Sequence, residues 1–469
     1  MKIAHSLCAI LALVPVAAAQ KLTPLPKDLP PYAAEKPFAA PDVKAVKLDN
    51  GLTVWLVAEP GFPQIALDLA VEGGYGADPA DRPGISQLLA DTLSQGTATR
   101  SAKQIAQEVQ AAGGDLQATP HADFIEVSLT VLSDKAEPGL AVFSDVAQHA
   151  TFADDEVSLA KRNAADQLRQ QESEPSFLAT RAAARVLFGD HPYHVTAPTL
   201  GCINATTPGD LRSLFMQRFR PDQALLIAVG DFQAAPMLDL IRSQFGQWKA
   251  PDAAPLAPVP PPSSDPKRAI FIVPRPGSVQ TTLEFAAFGP LRTDPDFEAA
   301  QVANAIYGGM FSSHLIQNIR EEKGYTYSPF AVLRTYRAAG VMTTRADVRN
   351  AVTAPILNEI IYELNRTVTT EPADEELAAA RRYLVGLEAI QLQSRGAVVN
   401  ELAGIWADGL PPEEIGAYGK KVAATTAAEV DAAARKYFPA SRAAIIAVGE
   451  EKVIREALAP FALPMETVQ

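Results

Sequence analysis

Cysteine is nearly absent. The 469 residues include two, Cys8 and Cys202, which excludes a disulfide-stapled scaffold and a cysteine-rich zinc module. Bases are in deficit, 41 against 54 acids, for a formal charge of −13. That argues against a nucleic-acid-binding protein, whose footprint is a basic patch or stripe. Past the N-terminus no apolar run approaches the ~20 residues that span a bilayer, which excludes a channel or transporter. What remains is rich in core-forming material: 48% of residues are hydrophobic and 20% charged. At ~150 residues per domain the length suits about three domains or two large ones.

Residues 1–19 read as a secretory signal. Lys2 precedes the apolar stretch Leu7 to Val14, and Ala17-Ala18-Ala19 before Gln20 has the small-residue pattern of a cleavage site. The signal has a bacterial look, so the expected compartment is the periplasm. Cys8 leaves with it, and Cys202 then reads as a lone buried thiol rather than a nucleophile. Proline is in excess, 38 residues, or about 8% against a usual ~5%. One cluster makes residues 20–43 an extended arm. Another makes 251–267 a semi-rigid linker between domains at 44–250 and 268–465.

The two halves resemble each other. The first ends in Arg218-Phe219-Arg220-Pro221 and the buried strand 224–230; the second ends in Lys436-Tyr437-Phe438-Pro439 and the strand 443–449. A long-period duplication explains the matching flanks better than chance. Asn50-Gly51 marks a hairpin. Ile65, Leu67, Leu69 and Val71 alternate as a half-buried strand, and so do Ile125, Val127, Leu129 and Val131. Ile85, Leu88, Leu89 and Leu93 have helical spacing, and Ser101 with Gln104 forms a capping box. Helices are expected over 156–172 and 178–187, then over 297–306, 313–322, 354–364 and 375–391. Strands are expected over 271–273 and 282–285. The expected fold is α+β: two homologous domains, each a largely antiparallel sheet with helices packed on it.

The segment Gly84-Ile85-Ser86-Gln87-Leu88-Leu89-Ala90-Asp91, followed by Gly96-Thr97, resembles the stretch of the insulinase/pitrilysin family that carries the inverted zinc motif H-x-x-E-H. Gln87 and Asp91 occupy the histidine positions, and Ala90 occupies the general base. In that motif two histidines four apart on one helix face clamp zinc, and the glutamate takes a proton from zinc-bound water. The family's third ligand, a glutamate in a later R-N-A-x-x-x-E helix, aligns with Leu168 in Arg162-Asn163-Ala164-Ala165-Asp166-Gln167-Leu168. The resemblance therefore implies a chain that holds no catalytic zinc. Gly113-Gly114-Asp115-Leu116-Gln117 is similar to the turn into the family's substrate-pairing edge strand, and Phe188-Gly189-Asp190-His191-Pro192-Tyr193 to its F-x-x-H-P-Y segment.

The second half keeps the family's substrate-binding signature. Gly308-Gly309-Met310-Phe311-Ser312-Ser313-His314-Leu315 runs into Ile319-Arg320-Glu321-Glu322-Lys323-Gly324-Tyr325-Thr326-Tyr327. The resemblance assigns Arg320 and Tyr327 to holding the peptide and stabilising charge on the scissile carbonyl, with Tyr325 as the alternative to Tyr327. Arg320 is expected to end a helix, Gly324 to break it, and Tyr327 to begin the next strand. Gly308 and Gly309 would let a backbone approach closely. The bland alternatives are a surface-paired Arg320 and a core Tyr327. His191 and His194 flank a proline turn and lack a third ligand, and His121, His149 and His314 are scattered, so none reads as a metal site.

By resemblance to the mitochondrial processing peptidase-like members, the implied partner is a homologous subunit bearing the zinc motif. The chain is then the non-catalytic, substrate-binding subunit of a heterodimeric periplasmic zinc endopeptidase acting on extended peptides. It would bind no cofactor itself, and zinc would sit in the partner. A non-proteolytic peptide-binding or scaffold protein of the same fold is the alternative.

Overall fold

The computed structural model describes residues 39–263 and 265–468. The signal and most of the arm lie outside the described residues. The first half runs β1 (Lys44–Lys47), β2 (Thr53–Ala58), β3 (Gln64–Glu72), α1 (Ile85–Leu93), α2 (Ala102–Ala111), β4 (Asp115–Pro120), β5 (Phe124–Leu132), α3 (Ala136–His149), α4 (Asp154–Ser173), α5 (Pro175–Phe188), α6 (Leu200–Ala205), α7 (Pro208–Arg218), β6 (Ala224–Gly230) and α8 (Ala234–Phe245). The second runs β7 (Ile270–Pro274), β8 (Gln280–Gly289), α9 (Phe297–Asn304), β9 (Phe330–Tyr336), β10 (Ala339–Arg349), α10 (Thr353–Thr369), α11 (Asp374–Gln391), α12 (Arg395–Ala407), α13 (Tyr418–Ala424), α14 (Ala427–Tyr437), β11 (Ala444–Gly449), α15 (Glu451–Leu458) and β12 (Met465–Thr467).

The duplication is visible in the sheets. Their strand orders are β1-β2-β6-β3-β5-β4 and β12-β7-β11-β8-β10-β9. Strand for strand these are the same order, with β12 standing where β1 stands. Both sheets are mixed: β2 pairs parallel with β6 and β7 with β11, while the three remaining inner pairs of each sheet are antiparallel. The buried strands Leu225 to Val229 and Ile445 to Val448 lie in the middle of each sheet, covered on both faces, which is why they read as continuous apolar runs.

One face of the first sheet packs on its own helices. Ile65, Leu67, Leu69 and Val71 point into that core with Leu88, Leu89 and Phe143. The opposite face is covered from the other half. Val398, Val399, Leu402, Ala403 and Ile405 of α12 pack on Trp55, Val57, Ala70, Leu225 and Ile227. The second sheet shows the reciprocal arrangement. Ala179, Ala182, Ala183, Leu187 and Phe188 of α5 pack on Phe271, Val273, Ala286, Val341 and Ile446. Polar contacts fix both crossings. Arg345 of β10 donates to buried Glu284 at 3.0 Å and to Thr180 of α5, and Arg395 of α12 donates to the Glu59 carbonyl at 2.8 Å.

Under α12, Asp68 on β3 is fully buried beside Ala66 and Ala70, with no side-chain partner for either oxygen. Burial, reinforced by nearby Glu126, pushes its carboxyl well above the usual range. The site therefore favours a neutral carboxylic acid over an unpaired buried charge.

The F-x-x-H-P-Y segment serves the same junction. His191 meets the Pro260 carbonyl at 2.6 Å, and the Tyr193 hydroxyl donates to Asp123 and accepts from the Ala338 N–H at 3.3 Å. Between α8 and β7 the chain is irregular but not free. Leu256 is bound through both its N–H and its carbonyl to the Gln223 amide.

Fully burying an aliphatic side chain stabilises by about 1.5–3 kcal/mol, so α12 is an essential wall of the first half. Leu402→Ala, at a position with no exposure, is expected to destabilise the chain by about 2–5 kcal/mol. Urea unfolding followed by circular dichroism should show both halves unfolding in one earlier transition. A second-half transition that moves alone would contradict this.

Candidate functional site

Helix α1 carries the segment aligned with the zinc motif, and a buried ion pair sets its position. Arg218 at the end of α7 and Asp78 before α1 are both shielded from solvent and meet at 2.9 Å. Asp78 also accepts from the Gly84 N–H at 2.8 Å, capping the helix from outside. Gly84 has φ +88°, and a Cβ there would lie 2.2 Å from the Pro198 Cα, so glycine is required. On the exposed side of α1, Gln87 and Asp91 are one turn apart. The Gln87 amide donates to Asp91 at 2.8 Å, and the Tyr75 hydroxyl donates to the Gln87 carbonyl oxygen at 2.7 Å. Burial raises the Asp91 pKa, opposed by the Gln87 hydrogen bond. Burial and the charges of Asp78 and Asp91 raise that of Tyr75, keeping it a hydroxyl donor. Ala90 is buried.

Leu168, aligned with the third ligand, belongs to the hydrophobic core. One residue earlier, Gln167 lines a cleft of about 260 Å³ with Asp91, Gln95, Glu156 and Asn163. A helix turns about 100° per residue, so a one-residue slip moves a side chain from cleft to core. Gln167 and Tyr75 were not singled out by sequence reasoning. Gln167 could have been found by asking which side of α4 the small core residues Ala160 and Ala164 leave free.

These residues do not suit a catalytic zinc. The Gln87 amide is committed to hydrogen bonds, Asp91 is the single carboxylate of the motif, and a glutamine rather than a glutamate faces it across the cleft. Among the described residues no group of three His, Cys, Asp or Glu side chains could hold a metal ion. Cys202 is a buried free thiol. His314 pairs with Glu376 at 2.8 Å and His121 with Glu126 at 2.8 Å.

The second half brings Arg320 and Tyr327 together. The expected helices over 297–306 and 313–322 widen into turns with hydrogen bonds five residues apart, at 305–309 and 316–322, a distortion frequent at functional sites. Gly324, at φ +62°, ends the second. Tyr327 lies in the loop that follows, and β9 begins only at Phe330, so Tyr327 precedes the strand on which it was expected. The Arg320 guanidinium lies 4.3 Å from the Tyr327 ring centroid and 4.8 Å from that of Phe311. Both rings are well exposed, 77% for Tyr327 and 66% for Phe311. The Arg320 Nε meets Glu321 at 3.1 Å, and its terminal nitrogens make no hydrogen bond or ion pair among the described residues. They border an open cavity of about 720 Å³ with Tyr325, Tyr327, Asp347 and Arg349. Tyr325 is half-buried and also packs on the second core, which leaves Tyr327 as the exposed ring. Gly308 and Gly309 do not line this cavity. A Cβ on Gly308 would lie 2.8 Å from that of Ala331, so the backbone that approaches it is the protein's own β9.

The architecture is a mixed six-stranded sheet, duplicated, with the α1–α4 cleft in one half and an Arg-aromatic cavity in the other. Residues 53–196 match the family described as Insulinase (Peptidase family M16), and residues 205–384 match Peptidase M16 inactive domain. The chain is a homologue of the M16 insulinase-family peptidases. An uncharacterized zinc protease of Streptomyces coelicolor is 23% identical over 407 residues, 84% of this chain and 86% of the relative. One of Rickettsia felis is 26% identical over 378 residues, 79% and 89% of the two chains. The crystal structure of a peptidase M16 inactive domain from Pseudomonas fluorescens superimposes with a TM-score of 0.82 at 25% identity, over 87% of this chain and 98% of that one. A Helicobacter pylori protease shares the fold at a TM-score of 0.79 and 18% identity, over 87% and 99%.

The cleft assignment is testable by rebuilding the motif. Gln87→His, Ala90→Glu and Asp91→His combined with Gln167→Glu should give a chain that binds zinc by calorimetry. The same three changes with Leu168→Glu should bind none and should lower the melting temperature, because they bury a carboxylate in the core. Zinc binding by the Leu168 version would restore the original alignment.

Proposed function

We propose that this chain is the non-catalytic, substrate-binding subunit of a heterodimeric periplasmic zinc endopeptidase. The observation that carries the reading is the contrast between the halves. The ligand positions hold Gln87, Asp91 and, at the third, Leu168 with Gln167 beside it at the cleft, the general-base position holds Ala90, and Arg320 and Tyr327 stand paired beside an open cavity. A homologous subunit with the H-x-x-E-H motif supplies zinc and the general base. Zinc held by that subunit's motif would supply Lewis-acid polarisation of the scissile carbonyl. Arg320 presents its free terminal N–H groups to the peptide and stays cationic throughout, and Tyr327 fixes the guanidinium plane by stacking and offers one hydroxyl donor. An extended peptide reaches the site as an added strand. β4 is the edge of the first sheet, its outward residues Asp115, Gln117 and Thr119 are exposed, and unpaired strand edges accept such pairing. The same edge supports the second reading, a peptide-binding protein without proteolysis.

The test is hydrolysis of an extended peptide by the zinc-motif homologue of the same genome, with and without this chain. Activity should rise sharply only in the mixture. Arg320→Ala with Tyr327→Phe should lower the kcat of the mixture by roughly tenfold or more while leaving subunit association unchanged. A mixture no more active than the homologue alone would favour the binding reading. An unimpaired double variant would remove Arg320 and Tyr327 from the site.

A further inference from the structure

The duplicated fold builds a cavity at a corresponding place in each half, beside α1 and α4 in the first and beside α9 and α11 in the second. In the first half it is the cleft between α1 and α4. In the second it is larger, about 460 Å³, and lies among α9, α11, α12 and α13, within the ~300–1,000 Å³ typical of ligand sites. One wall is apolar: Phe297, Leu384 and Leu387. The same cavity is lined by Glu388, one turn along α11 from Leu384, by Glu401 of α12 and by Arg292 ahead of α9.

The charges do not balance. Arg292 pairs with Glu401 and has Asp408 at 3.8 Å on its other side. Glu388 forms no ion pair among the described residues. Its hydrogen bond comes from the Gly419 N–H. A Cβ at Gly419 would lie 2.5 Å from the Glu388 Oε2, so glycine is what lets the carboxylate sit there. The opening therefore holds two neighbouring glutamates, a single committed arginine and an apolar wall long enough for methylenes.

We infer that this cavity binds an alkylammonium group, such as a lysine side chain of a peptide or a free aliphatic diamine, with its methylenes on Phe297, Leu384 and Leu387 and its charged head between Glu388 and Glu401. The ammonium supplies the cation that Glu388 lacks and relieves the repulsion between the two carboxylates. This inference is independent of the subunit reading, since binding requires neither a partner nor zinc.

The site carries its own signature. Burial, and then the charge of Glu401, push Glu388 up to about 7, opposed by Arg292 and the Gly419 N–H. The other ionisable groups around this corner are Tyr418 and Lys421 of α13, Glu298 of α9, and Asp408 and Glu414 after α12; Lys421 is already held by Glu298, at 3.3 Å, and by Glu414. Tyr418 stays neutral, because burial raises its pKa further above the physiological range. The ammonium must bind with loss of the Glu388 proton below neutral pH. With a Glu388 value of about 7, affinity should be about tenfold higher at pH 8 than at pH 6.

The experiment is isothermal titration calorimetry on the full chain with three probes: 1,5-diaminopentane, Nα-acetyl-lysine methylamide and Nα-acetyl-norleucine methylamide. One or both amines should bind saturably, with the pH dependence above and with proton release detected in buffers of different ionisation enthalpy. Binding by one amine alone assigns the source, free diamine or peptide side chain. Norleucine should bind at least about tenfold more weakly than an amine that binds, because it lacks the charge. Glu388→Gln removes an unfavourably buried acid and should fold as the parent does. It should weaken amine binding by about tenfold and abolish the pH dependence. Glu388→Asp should keep the pH dependence with reduced affinity. No saturable amine binding, equal binding of norleucine, or unchanged binding by the Glu388→Gln chain would overturn the inference.

Discussion

Helices α5 and α12 each cross from the half that encodes them to cover the sheet of the other, and neither half closes its core without that exchange. Remove α12, and Trp55, Val57, Leu225 and Ile227 face water on one side of the first sheet. Remove α5, and Phe271, Val273 and Ile446 do the same on the second. Hydrophobic burial at ~25 cal/mol per Å² gives this exchange its weight. The buried Glu284–Arg345 pair, its link to Thr180, and the Ala338 N–H donating to the Tyr193 hydroxyl give it direction. The two candidate sites thus stand on one rigid scaffold, although they are encoded far apart in the chain.

On that scaffold the halves have diverged in chemistry while keeping topology. Helix α1 remains anchored by Asp78 and Arg218 at its N-terminus and still turns one polar face toward α4. What that face now presents is a hydrogen-bond chain of Tyr75, Gln87 and Asp91. The second half has kept a guanidinium between two exposed rings. The cavity beside α9 and α11, in the place that corresponds to the α1–α4 cleft, has filled with a different mixture of apolar and acidic side chains.

Much of this was legible in the sequence where one physical signal dominates. β5 alternates because one face lies on the helix-lined core, as expected of a half-buried strand, whereas β3, read the same way, is buried on both faces because α12 covers Ala66 and Ala70. The Ser101 and Gln104 capping box forms as its spacing demands, with the Ser101 N–H donating to Gln104 at 2.9 Å. The duplicated strands at 224–230 and 444–449 were readable because they are buried on both faces. Helix α12 was not foreseen. Its apolar residues, Val398, Val399, Leu402, Ala403 and Ile405, surround the helix and give no one-sided periodicity. The sequence frame points to Leu168, while packing puts Leu168 in the core and Gln167 at the cleft, because a motif frame does not report helix phase. Tyr327 was expected on a strand because its neighbours alternate, but the positive φ of Gly324 starts a loop that ends only at Phe330. The role of Gly308 was also hidden, since its close neighbour, Ala331, lies on another element.

The central claim is that this M16 homologue does not hold the catalytic metal of the zinc proteases it resembles. The most direct measurement is the metal content of the purified full-length chain by inductively coupled plasma mass spectrometry, after equilibration with micromolar zinc and gel filtration. The account predicts zinc far below one ion per chain, because an amide, an alanine and a lone carboxylate replace the clamp that tetrahedral zinc requires. One tightly retained zinc per chain would contradict it and would make this chain a candidate peptidase in its own right.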